Sequence, residues 1–338
     1  MTSTVDALVG RLRDARALGR LVGESTAFLE SIRPIPALAR SDATVLVTGE
    51  TGTGKELIAH AIHYLSDRAS RPFSPVNCGS LSDALLEDEL FGHEPGAFTD
   101  ARSRRPGLIQ ETGEGTLFLD EVDSLSPRGQ VALLRLLQER TFRPLGGSRV
   151  AHASVRFLAA CNTPLEQLVR AGTFRGDLYY RLSVITIRLP PLRDRREDIP
   201  LLAARFLEKH TPAGEPVPRL HPDALAALMA FDWPGNVREL ESVIVRGIVL
   251  GNRETIGPQD LGLPLRDVAP GETGSWPAGD SYQSLKRQAI ADFERHYLTR
   301  LMTLHRGNVS QAARAAGKER RELGKLLKKH QLDRATFS

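Results

Sequence analysis

Short apolar runs alternate with segments of helical spacing through the first half of the chain. The runs, at residues 45–47, 73–77, 116–119, 155–160 and 184–189, have the length and apolar character of buried strands. This alternation predicts an α/β fold in which a parallel sheet carries helices on both faces. From residue 195 to residue 263 the apolar positions follow helical spacing only, which predicts a small helical subdomain after the sheet.

The pattern divides the chain into five segments. Residues 264–280 contain three prolines and three glycines, which predicts a flexible linker. The full division is a short N-terminal segment at 1–20, an α/β subdomain at 21–194, a helical subdomain at 195–263, the linker at 264–280 and an all-helical domain at 281–338.

The C-terminal segment predicts a helix-turn-helix unit. Residues 281–304 have apolar positions at the spacing of one long helix, which Gly307 and Asn308 end. Asn308 and Gln311 form a capping pattern that opens a second, short helix, and Gly317 supplies the turn before the last one.

Charge is distributed unevenly along the chain. Residues 281–338 contain 13 Lys or Arg and 5 Asp or Glu, a net charge of +8, so the formal total of +4 leaves −4 on the rest. A basic C-terminal segment favours a polyanion such as double-stranded DNA as its partner. No run of eighteen apolar residues and no secretory leader are present, which predicts a cytoplasmic protein with no membrane partner.

A glycine-rich stretch between the first apolar run and a helical segment has the pattern of a phosphate-binding loop, or P-loop. Its glycines let successive backbone N–H groups turn towards phosphate oxygens, and the N-terminus of the following helix adds partial positive charge. Lys55 can reach the β- and γ-phosphates of ATP, whereas Glu56 replaces the hydroxyl that usually binds Mg²⁺. The predicted ATP-binding residues of this loop are Gly49, Glu50, Thr51, Gly52, Thr53, Gly54, Lys55 and Glu56.

A second apolar strand ends in two carboxylates. In the sequence GTLFLDE, Asp120 is predicted to hold Mg²⁺, and Glu121 to orient and polarise the attacking water. Asn77 and Asn162 also follow predicted strands, at the edge where open α/β sheets bind ligands. An amide there can hold a catalytic carboxylate or sense a γ-phosphate, although each of these residues is more often a turn former.

The segment ELFGHEPGAFTDA, at residues 89–101, interrupts the α/β pattern. Proline and glycine argue against a helix there, so Phe98 is predicted to lie on a mobile loop. Two interpretations are open: the ring folds back into the core, or it forms an apolar tip that grips a partner.

Seven motifs occur in the order GETGTGKE, FSPVNCGSL, ELFGHEPGAFTDA, GTLFLDE, FRGDLYYRL, LPPLRDRREDI and WPGNVREL. Together they resemble the AAA+ domain of bacterial enhancer-binding proteins, the NtrC-like class that activates RNA polymerase carrying sigma-54. The resemblance covers about residues 21–263. It implies an AAA+ P-loop NTPase fold with a helical lid, ATP and Mg²⁺ as ligands, and a hexameric ring. It also assigns Val22 and Gly23 to ATP binding, and glutamate at position 56 is usual in the class.

The resemblance implies roles for further residues. Asn77 would be the switch that restrains or releases Glu121, and Asn162 would be the first sensor of the nucleotide. Arg175 and Arg181, in FRGDLYYRL, match arginine fingers that reach the nucleotide of a neighbouring subunit. Hydrolysis would then depend on assembly, because the guanidinium arrives in trans.

Two arginines have a second interpretation. Arg181 can instead pair on a helix surface with Asp177, four residues earlier. Arg238, in WPGNVREL, matches the second sensor and would project from the first turn of a helix that Asn236 caps together with Glu239. The alternative for Arg238 is a solvated surface arginine.

The loop that contacts sigma-54 in this class reads GAFTGA, and the chain departs from it at one position. The matching residues are Gly96, Ala97, Phe98, Thr99, Asp100 and Ala101. Asp100 replaces the second glycine. Aspartate tolerates some glycine-like backbone conformations, but it adds a negative charge and restricts the loop.

The C-terminal unit is similar to the Fis-type helix-turn-helix domain that ends many of these activators. On its last helix, leucines should pack while basic side chains meet phosphates and base edges; a merely solvated basic helix is the alternative. The predicted DNA-contacting residues are Gln311, Arg320, Arg321, Lys325 and Lys328. The long helix at 281–304 is predicted to pair two such tails into a dimer.

The residues together with this resemblance imply a ring-forming ATPase that binds upstream DNA and remodels closed complexes of sigma-54 RNA polymerase. One alternative is a DNA-binding regulator or repressor without sigma-54 contact, which Asp100 alone supports. Another is an AAA+ chaperone or unfoldase, which leaves the basic helix-turn-helix unexplained. No sensory domain fits before residue 21, so control is expected from a regulatory protein in trans, from expression level or from a region absent from this chain.

Overall fold

The computed structural model describes residues 21–99, 101–251, 254–263, 298, 301–302, 305, 308–316 and 320–330. They belong to two units, Met1–Leu265 and Arg266–Ser338, which are treated separately below as the first and the second unit. Asp100, the segment 1–20, the predicted linker 264–280 and most of the predicted helix 281–304 lie outside the described residues.

A five-stranded parallel sheet lies at the centre of the first unit. Its strands are β1 (Val45–Thr48), β2 (Phe73–Asn77), β5 (Thr116–Asp120), β8 (Arg156–Cys161) and β9 (Ile185–Arg188). Their order in the sheet is β2-β5-β8-β1-β9, and every neighbouring pair is parallel. The five apolar runs of the sequence are these five strands, so the predicted parallel sheet is confirmed.

Helices cover both faces of the sheet, as the alternation predicted. On one face lie α1 (Thr26–Ile32), α2 (Ile35–Ala39) and α3 (Lys55–Tyr64). On the other lie α4 (Asp83–Phe91), α5 (Leu108–Thr112), α6 (Pro127–Glu139), α7 (Leu165–Arg170) and α8 (Gly176–Leu182). The side chains of successive strand residues pack on opposite faces of the sheet. Leu158 packs against the first set of helices and Phe157 against the second. Because both faces are covered, the central strands β1, β5 and β8 are mainly apolar, whereas the edge strands β2 and β9 also contain exposed residues.

Two short antiparallel ribbons lie outside the central sheet, and one of them begins within the segment 89–101 that interrupts the α/β pattern. They pair β3 (Gly92–His93) with β4 (Arg105–Pro106), and β6 (Thr141–Phe142) with β7 (Ala151–His152). Helix α4 continues to Phe91, so the expectation of no helix in residues 89–101 was wrong for its first three residues. The helix ends where Gly92 adopts a φ of 71°, a left-handed conformation that glycine adopts readily.

The predicted helical subdomain, residues 195–263, is called the lid below. It contains α9 (Ile199–His210), α10 (Pro222–Ala230), α11 (Asn236–Leu250) and α12 (Pro258–Leu261), packed around the fully buried Trp233. The expectation of helices alone was wrong, because β10 (Arg219–Leu220) and β11 (Thr255–Ile256) form a short parallel ladder. A two-residue ladder is too short to leave a period in the sequence.

In the second unit, two helices pack with Leu298, Leu301 and Met302 around a small apolar core. They are α13 (Val309–Ala315) and α14 (Arg320–Lys329). The side chain of Asn308 accepts a hydrogen bond from the N–H of Gln311 at 3.2 Å, which is the predicted capping contact. Leu323 and Leu327 are buried, whereas Lys325 and Lys328 are exposed, as expected for a helix with one packed and one basic face. No helix among the described ranges is long and apolar enough to cross a membrane.

Candidate functional site

The candidate side chains gather at the carboxyl end of the central sheet. Strand β1 leads into the P-loop, β5 ends at Asp120, β2 ends at Asn77, and Asn162 follows β8. Because the carboxyl ends of parallel strands meet at one edge, the sheet brings together four segments that are far apart in sequence. This edge is also where open α/β sheets bind their ligands.

Lys55 is buried at the first turn of α3 and is held by three oxygen atoms. Its ammonium group donates to the carbonyl oxygens of Gly49 (2.8 Å) and Glu50 (3.1 Å) and to Oδ1 of Asn162 (2.7 Å). Burial lowers the pKa of Lys55, and the nearby charge of Asp120 opposes that effect. Lys55 and Asn162, which the sequence singled out independently, are therefore in direct contact.

Asp120 and Glu121, the two acidic residues at the end of β5, differ in backbone conformation. Burial raises the pKa of Asp120, while the N–H of Glu121, which donates to Asp120 Oδ1 at 2.9 Å, and the charge of Lys55 oppose that effect. Glu121 itself adopts a left-handed backbone, with φ 56° and ψ 43°, which is uncommon for a residue other than glycine. Strained conformations of this kind persist at functional sites.

The carboxylate of Glu121 rests against a turn that Asn77 forms. A Cβ atom added to Gly79 would lie 2.7 Å from Oε2 of Glu121. Asn77 shapes this turn, because its Oδ1 accepts from the N–H groups of Gly79 (2.8 Å) and Ser80 (3.0 Å). Asn77 is thus a turn former, one of the two interpretations left open. A direct switch contact between Asn77 and Glu121 stays a prediction.

Asp123 was not singled out in the sequence, although it fixes a predicted site residue. Its carboxylate accepts from the backbone N–H of Asn162 (3.2 Å) and of Thr163 (2.9 Å). The bonds hold the segment after β8 so that the amide of Asn162 meets Lys55. An acidic residue three positions after Asp120 was the available signal, but it matches no motif by itself.

The lid meets the P-loop at the start of α11. Asn236 was predicted to cap this helix, which is wrong: Gly235 is the capping residue, and its N–H donates to Glu239 Oε2 at 2.8 Å. The amide of Asn236 is used instead by other segments, donating to Thr51 O (3.0 Å) and accepting from Leu192 N (2.7 Å).

Arg238 lies close to the phosphate-binding loop. Its side chain is exposed, and its Cβ faces Gly52, where an added Cβ would come within 3.1 Å. The first turn of α11 therefore places the Cβ atom of Arg238 beside the loop. This position suits a side chain that reaches bound phosphates, as the resemblance implied, and the exposed guanidinium leaves both interpretations open.

A cavity of about 520 Å³ lies beside the P-loop, between α3 and the lid. Its walls are mainly apolar and include Val22, Phe28, Ile58 and Phe206. Gly23, the neighbour of Val22, leaves no room for a side chain, because an added Cβ would collide with the ring of Phe28. A mainly apolar pocket next to a phosphate-binding loop has the size and character of a nucleotide-base site.

Two charged residues that the sequence did not single out lie here: Arg195 lines the cavity, and Asp198 is buried next to Gly23. Asp198, fully buried, accepts from the N–H groups of Glu24 (2.7 Å) and Ser25 (2.8 Å) and from the Ser25 hydroxyl (2.6 Å). Arg195 donates to Thr53 O at 3.1 Å, and its guanidinium lies 4.7 Å from the centre of the Phe28 ring. Both residues belong to the motif LPPLRDRREDI, whose presence was the only available signal.

Phe98 lies neither in the core nor free in solvent. Its side chain is 44% exposed, and its ring packs edge-on against His93 with 4.9 Å between ring centroids. The loop is closed at its base by a hydrogen bond from Gly96 N to Ala101 O at 2.8 Å. Phe98 therefore presents an apolar edge at the surface.

The two predicted arginine fingers lie on the surface around α8. Arg175 forms a two-pronged pair with Asp177, at 2.7 and 3.0 Å. The alternative pair between Asp177 and Arg181 is therefore wrong, because Asp177 already has a nearer partner. Arg181 is exposed, with no ion pair among the described residues, and Tyr180 beside it is 75% exposed.

A metal site made of protein side chains alone is not found in the part of the chain that the structure describes. Mg²⁺ commonly binds through one or two carboxylates together with waters and substrate phosphates. Asp120, at the strand end and within electrostatic range of Lys55, fits that type of site.

Comparison with known proteins gives matches over most of the chain. Residues 21–188 match the Sigma-54 interaction domain family, and residues 193–275 match the AAA+ ATPase lid domain family. Regulatory protein AtoC of Escherichia coli (strain K12) is 43% identical over 320 residues, which are 94% of this chain and 69% of AtoC. Transcriptional regulatory protein ZraR of Salmonella typhimurium is 43% identical over 304 residues, which are 90% of this chain and 67% of ZraR.

Solved structures give the same picture. NtrX from Brucella abortus in complex with ADP has a TM-score of 0.66 and 34% identity, covering 97% of this chain and 73% of NtrX. A second NtrX structure, in complex with ATP, also has a TM-score of 0.66, with 33% identity over the same shares of both chains. Hsp104 has a TM-score of 0.51 and 17% identity over 74% of this chain and 48% of Hsp104, so it is similar in fold alone.

Proposed function

The chain belongs to the sigma-54 interaction domain family of AAA+ proteins, and from this we propose that it is an ATP-dependent activator of transcription by sigma-54 RNA polymerase. The observation that carries the proposal is the meeting of Lys55, Asp120 and Asn162 at one sheet edge, in the same unit as a surface loop that carries Phe98. The first set of residues suits ATP chemistry, and the loop suits contact with a partner.

We propose that the P-loop and the cavity beside it bind ATP. Lys55 would exchange the carbonyl oxygens of Gly49 and Glu50 for the β- and γ-phosphates, to which a buried ammonium is strongly attracted. The base would occupy the cavity that Val22 lines, and the remaining P-loop residues would contact the phosphates. The ATP complex of NtrX supports the assignment of nucleotide to this fold.

For hydrolysis we propose different roles for the two carboxylates. Asp120 would hold Mg²⁺, which neutralises phosphate charge when bound. Glu121 would orient and polarise the attacking water. Its carboxylate lies against Gly79, in the turn that Asn77 forms, at the carboxyl edge of the sheet. Asn162, in contact with Lys55, would sense the γ-phosphate, and Arg238 would reach the phosphates from the lid.

Hydrolysis is proposed to require a ring of subunits, with a hexamer as the expected form. Arg175 and Arg181 are both exposed, so a neighbouring subunit can receive them. A guanidinium supplied in trans stabilises negative charge in the transition state only after assembly. ATP turnover would then move the loop of Phe98 against sigma-54.

We propose that the second unit binds upstream DNA in the cytoplasm. The exposed basic residues of α14 would contact phosphates, and Gln311, on the exposed side of α13, would face the same groove. We propose that the lid spans residues 195–263 and the DNA-binding domain residues 281–338. Pairing of two tails and control by a regulatory protein in trans are part of the same proposal.

The test is ATP-dependent promoter opening by sigma-54 RNA polymerase at a promoter with this protein's binding site. We expect the wild type to open the promoter. Glu121→Gln should bind ATP without hydrolysing it or opening the promoter, because only the water-activating group is altered. Asp100→Gly, which restores the glycine of the family loop, is the matched variant for sigma-54 contact.

Two results would overturn the proposal in different ways. A wild type that binds no ATP contradicts the whole assignment. A wild type that hydrolyses ATP but opens nothing, while Asp100→Gly opens the promoter, identifies a DNA-binding regulator whose loop no longer engages sigma-54.

A further inference from the structure

The amide of Asn236 joins three segments that are far apart in the chain. Its Nδ2 group donates to Thr51 O (3.0 Å) and to Glu50 Oε2 (3.2 Å), and its Oδ1 accepts from Leu192 N (2.7 Å). Asn236 is fully buried and adopts a left-handed backbone with a φ of 53°. This conformation is uncommon outside glycine, although asparagine adopts it more readily than most residues.

Glu50 takes part in the same junction from the P-loop side. Its carboxylate receives two hydrogen bonds from Arg193, at 2.8 and 2.6 Å, in addition to the one from Asn236. Its backbone carbonyl accepts from Lys55 at 3.1 Å. One residue therefore connects the phosphate-binding lysine, the segment that enters the lid and the first helical residue of α11.

The backbones of lid and loop are also in direct contact at this point. Val237 N donates to Gly52 O at 3.0 Å. Gly52, with a φ of 79°, lies so close to the carbonyl of Gly235 that a Cβ would collide with it. Any rotation of α11 away from the loop must break the Asn236 contacts and expose these backbone groups.

We propose that Asn236 is the positioning residue that fixes the lid to the P-loop and thereby sets the affinity for ATP. The inference deepens the proposed function and rests on it. Arg193 and Asn236 hold Glu50 and Thr51 in the loop conformation that the structure shows. Phosphates that favour this conformation therefore also favour the joined lid, and by linkage the joined lid strengthens phosphate binding by the same factor. Asn236 acts through the loop and touches no reacting atom.

A merely structural role for Asn236 would lower the stability of the fold without changing ATP affinity, so the test needs a readout of coupling. Trp233 provides one: it is fully buried in the lid, and its carbonyl accepts from Asn236 N at 2.8 Å. The chain has two tryptophans, so the fluorescence of Trp233 is isolated in a Trp276→Phe background. The wild type should show a change in Trp233 fluorescence on adding ATP.

Asn236→Ala removes the amide and should raise the KM for ATP by about tenfold or more, while kcat stays within about threefold, because Glu121 and its surroundings are untouched. The ATP-dependent change in Trp233 fluorescence should disappear. The matched control is Arg246→Met, which breaks a contact with Gly262 O (3.1 Å) inside the lid and touches neither the loop nor Arg193. Its KM should equal that of the wild type.

A second variant keeps the test decisive if the alanine variant folds poorly. Asn236→Asp places a carboxylate oxygen against Glu50 and against Thr51 O, so it should raise KM more than alanine does. Glu50→Gln removes the repulsion between carboxylates, and Asn236→Asp should therefore raise KM at least about threefold less in that background. Additive effects on KM in this double-mutant cycle would overturn the proposal.

An unchanged KM or an intact fluorescence response in Asn236→Ala would also overturn it. The outcomes separate this inference from the proposed function. A wild type that neither binds nor hydrolyses ATP contradicts both. A wild type that does both, with Asn236 variants of normal KM, contradicts this inference alone.

Discussion

The ring of Phe98 packs edge-on against the imidazole of His93, with the ring centroids 4.9 Å apart. His93 is in turn held by Asp88, whose Oδ1 lies 2.6 Å from its Nδ1, and both residues are almost fully buried. The apolar tip of the loop therefore rests on a base that belongs to α4. An aromatic contact of this kind contributes about 0.5–1.5 kcal/mol, which is small enough for ATP turnover to displace the ring.

We expect His93→Gln to weaken promoter opening several-fold while the ATP hydrolysis rate stays within about twofold of the wild type, because the change removes only an aromatic contact of this size. Glutamine keeps a donor for Asp88 but offers no ring for Phe98. The two activities are measured in parallel on the same preparation. Equal promoter opening in variant and wild type would show that the His93 contact does not position the tip.

Asp198 should be one of the most sensitive positions for stability in the first unit. Asp198→Ala leaves the N–H groups of Glu24 and Ser25 and the Ser25 hydroxyl without their acceptor, in a buried place. The expected loss in free energy of unfolding is about 2–4 kcal/mol. Urea unfolding measures it. Asp232→Ala, which removes a surface partner of Arg196, should cost about 1 kcal/mol or less, and equal costs for the two variants would contradict the assignment.

His63 should make the first unit less stable in mild acid. Burial, with a smaller effect from His60, lowers the pKa of His63 to about 4, below its usual value of about 6.5. The unfolded chain therefore binds the proton more readily, and stability falls as the pH drops through 6.5 towards 4. Between pH 7 and pH 5 the expected loss is about 2 kcal/mol.

The variant His63→Gln isolates this effect from the other histidines. Its free energy of unfolding, measured by urea at each pH, should fall less between pH 7 and pH 5 than that of the wild type. The hydrogen bond between His63 Nδ1 and Thr116 Oγ1, 2.9 Å long, is altered in the variant at every pH, so only the slope is compared. Parallel slopes for the two proteins would contradict the lowered pKa.

Arg181 should act on the nucleotide of a neighbouring subunit. Arg181→Ala and Lys55→Ala should each be inactive as pure preparations. In an equal mixture about a quarter of the sites combine an intact Lys55 with an intact Arg181 from the neighbour, so about a quarter of the wild-type ATPase rate should return. Arg188→Ala, which removes an exposed arginine of β9, should keep the wild-type rate. A mixture no more active than its components would contradict action in trans.

The exposed lysines of α14 should set the salt dependence of DNA binding. Lys325→Ala and Lys328→Ala should each weaken binding and reduce the slope of log K against log salt by about 0.9, as expected for one lost phosphate contact. Arg33→Ala, at the exposed residue that follows α1 in the first unit, is the control and should leave the slope unchanged. Unchanged slopes in both lysine variants would support the solvated basic helix.

The sequence by itself determined the parallel sheet, the P-loop and the acidic strand end. These features are local: a buried strand needs a short apolar run, and a phosphate cradle needs glycines and a lysine at fixed spacing. Asp120 and Asn162 could be named because each lies at the end of a recognisable strand, and Lys55 because it closes the glycine-rich pattern at the start of a helix. Their meeting followed from the rule that parallel strands end at one edge.

Only the tertiary structure decided which residues hold these groups in place. Asn236 bonds to a loop about 185 positions earlier in the chain, and Asp198 bonds to residues 173 and 174 positions earlier. A hydrogen bond between distant segments imposes no period and no spacing on the sequence. From the sequence, Asn236 could therefore be assigned only a local role as a helix cap. For Asp177, only a partner one helical turn away could be inferred. Packing of the lid against the P-loop brings such partners together, and the hydrogen bonds that form there, rather than local preference, set the final role of each side chain.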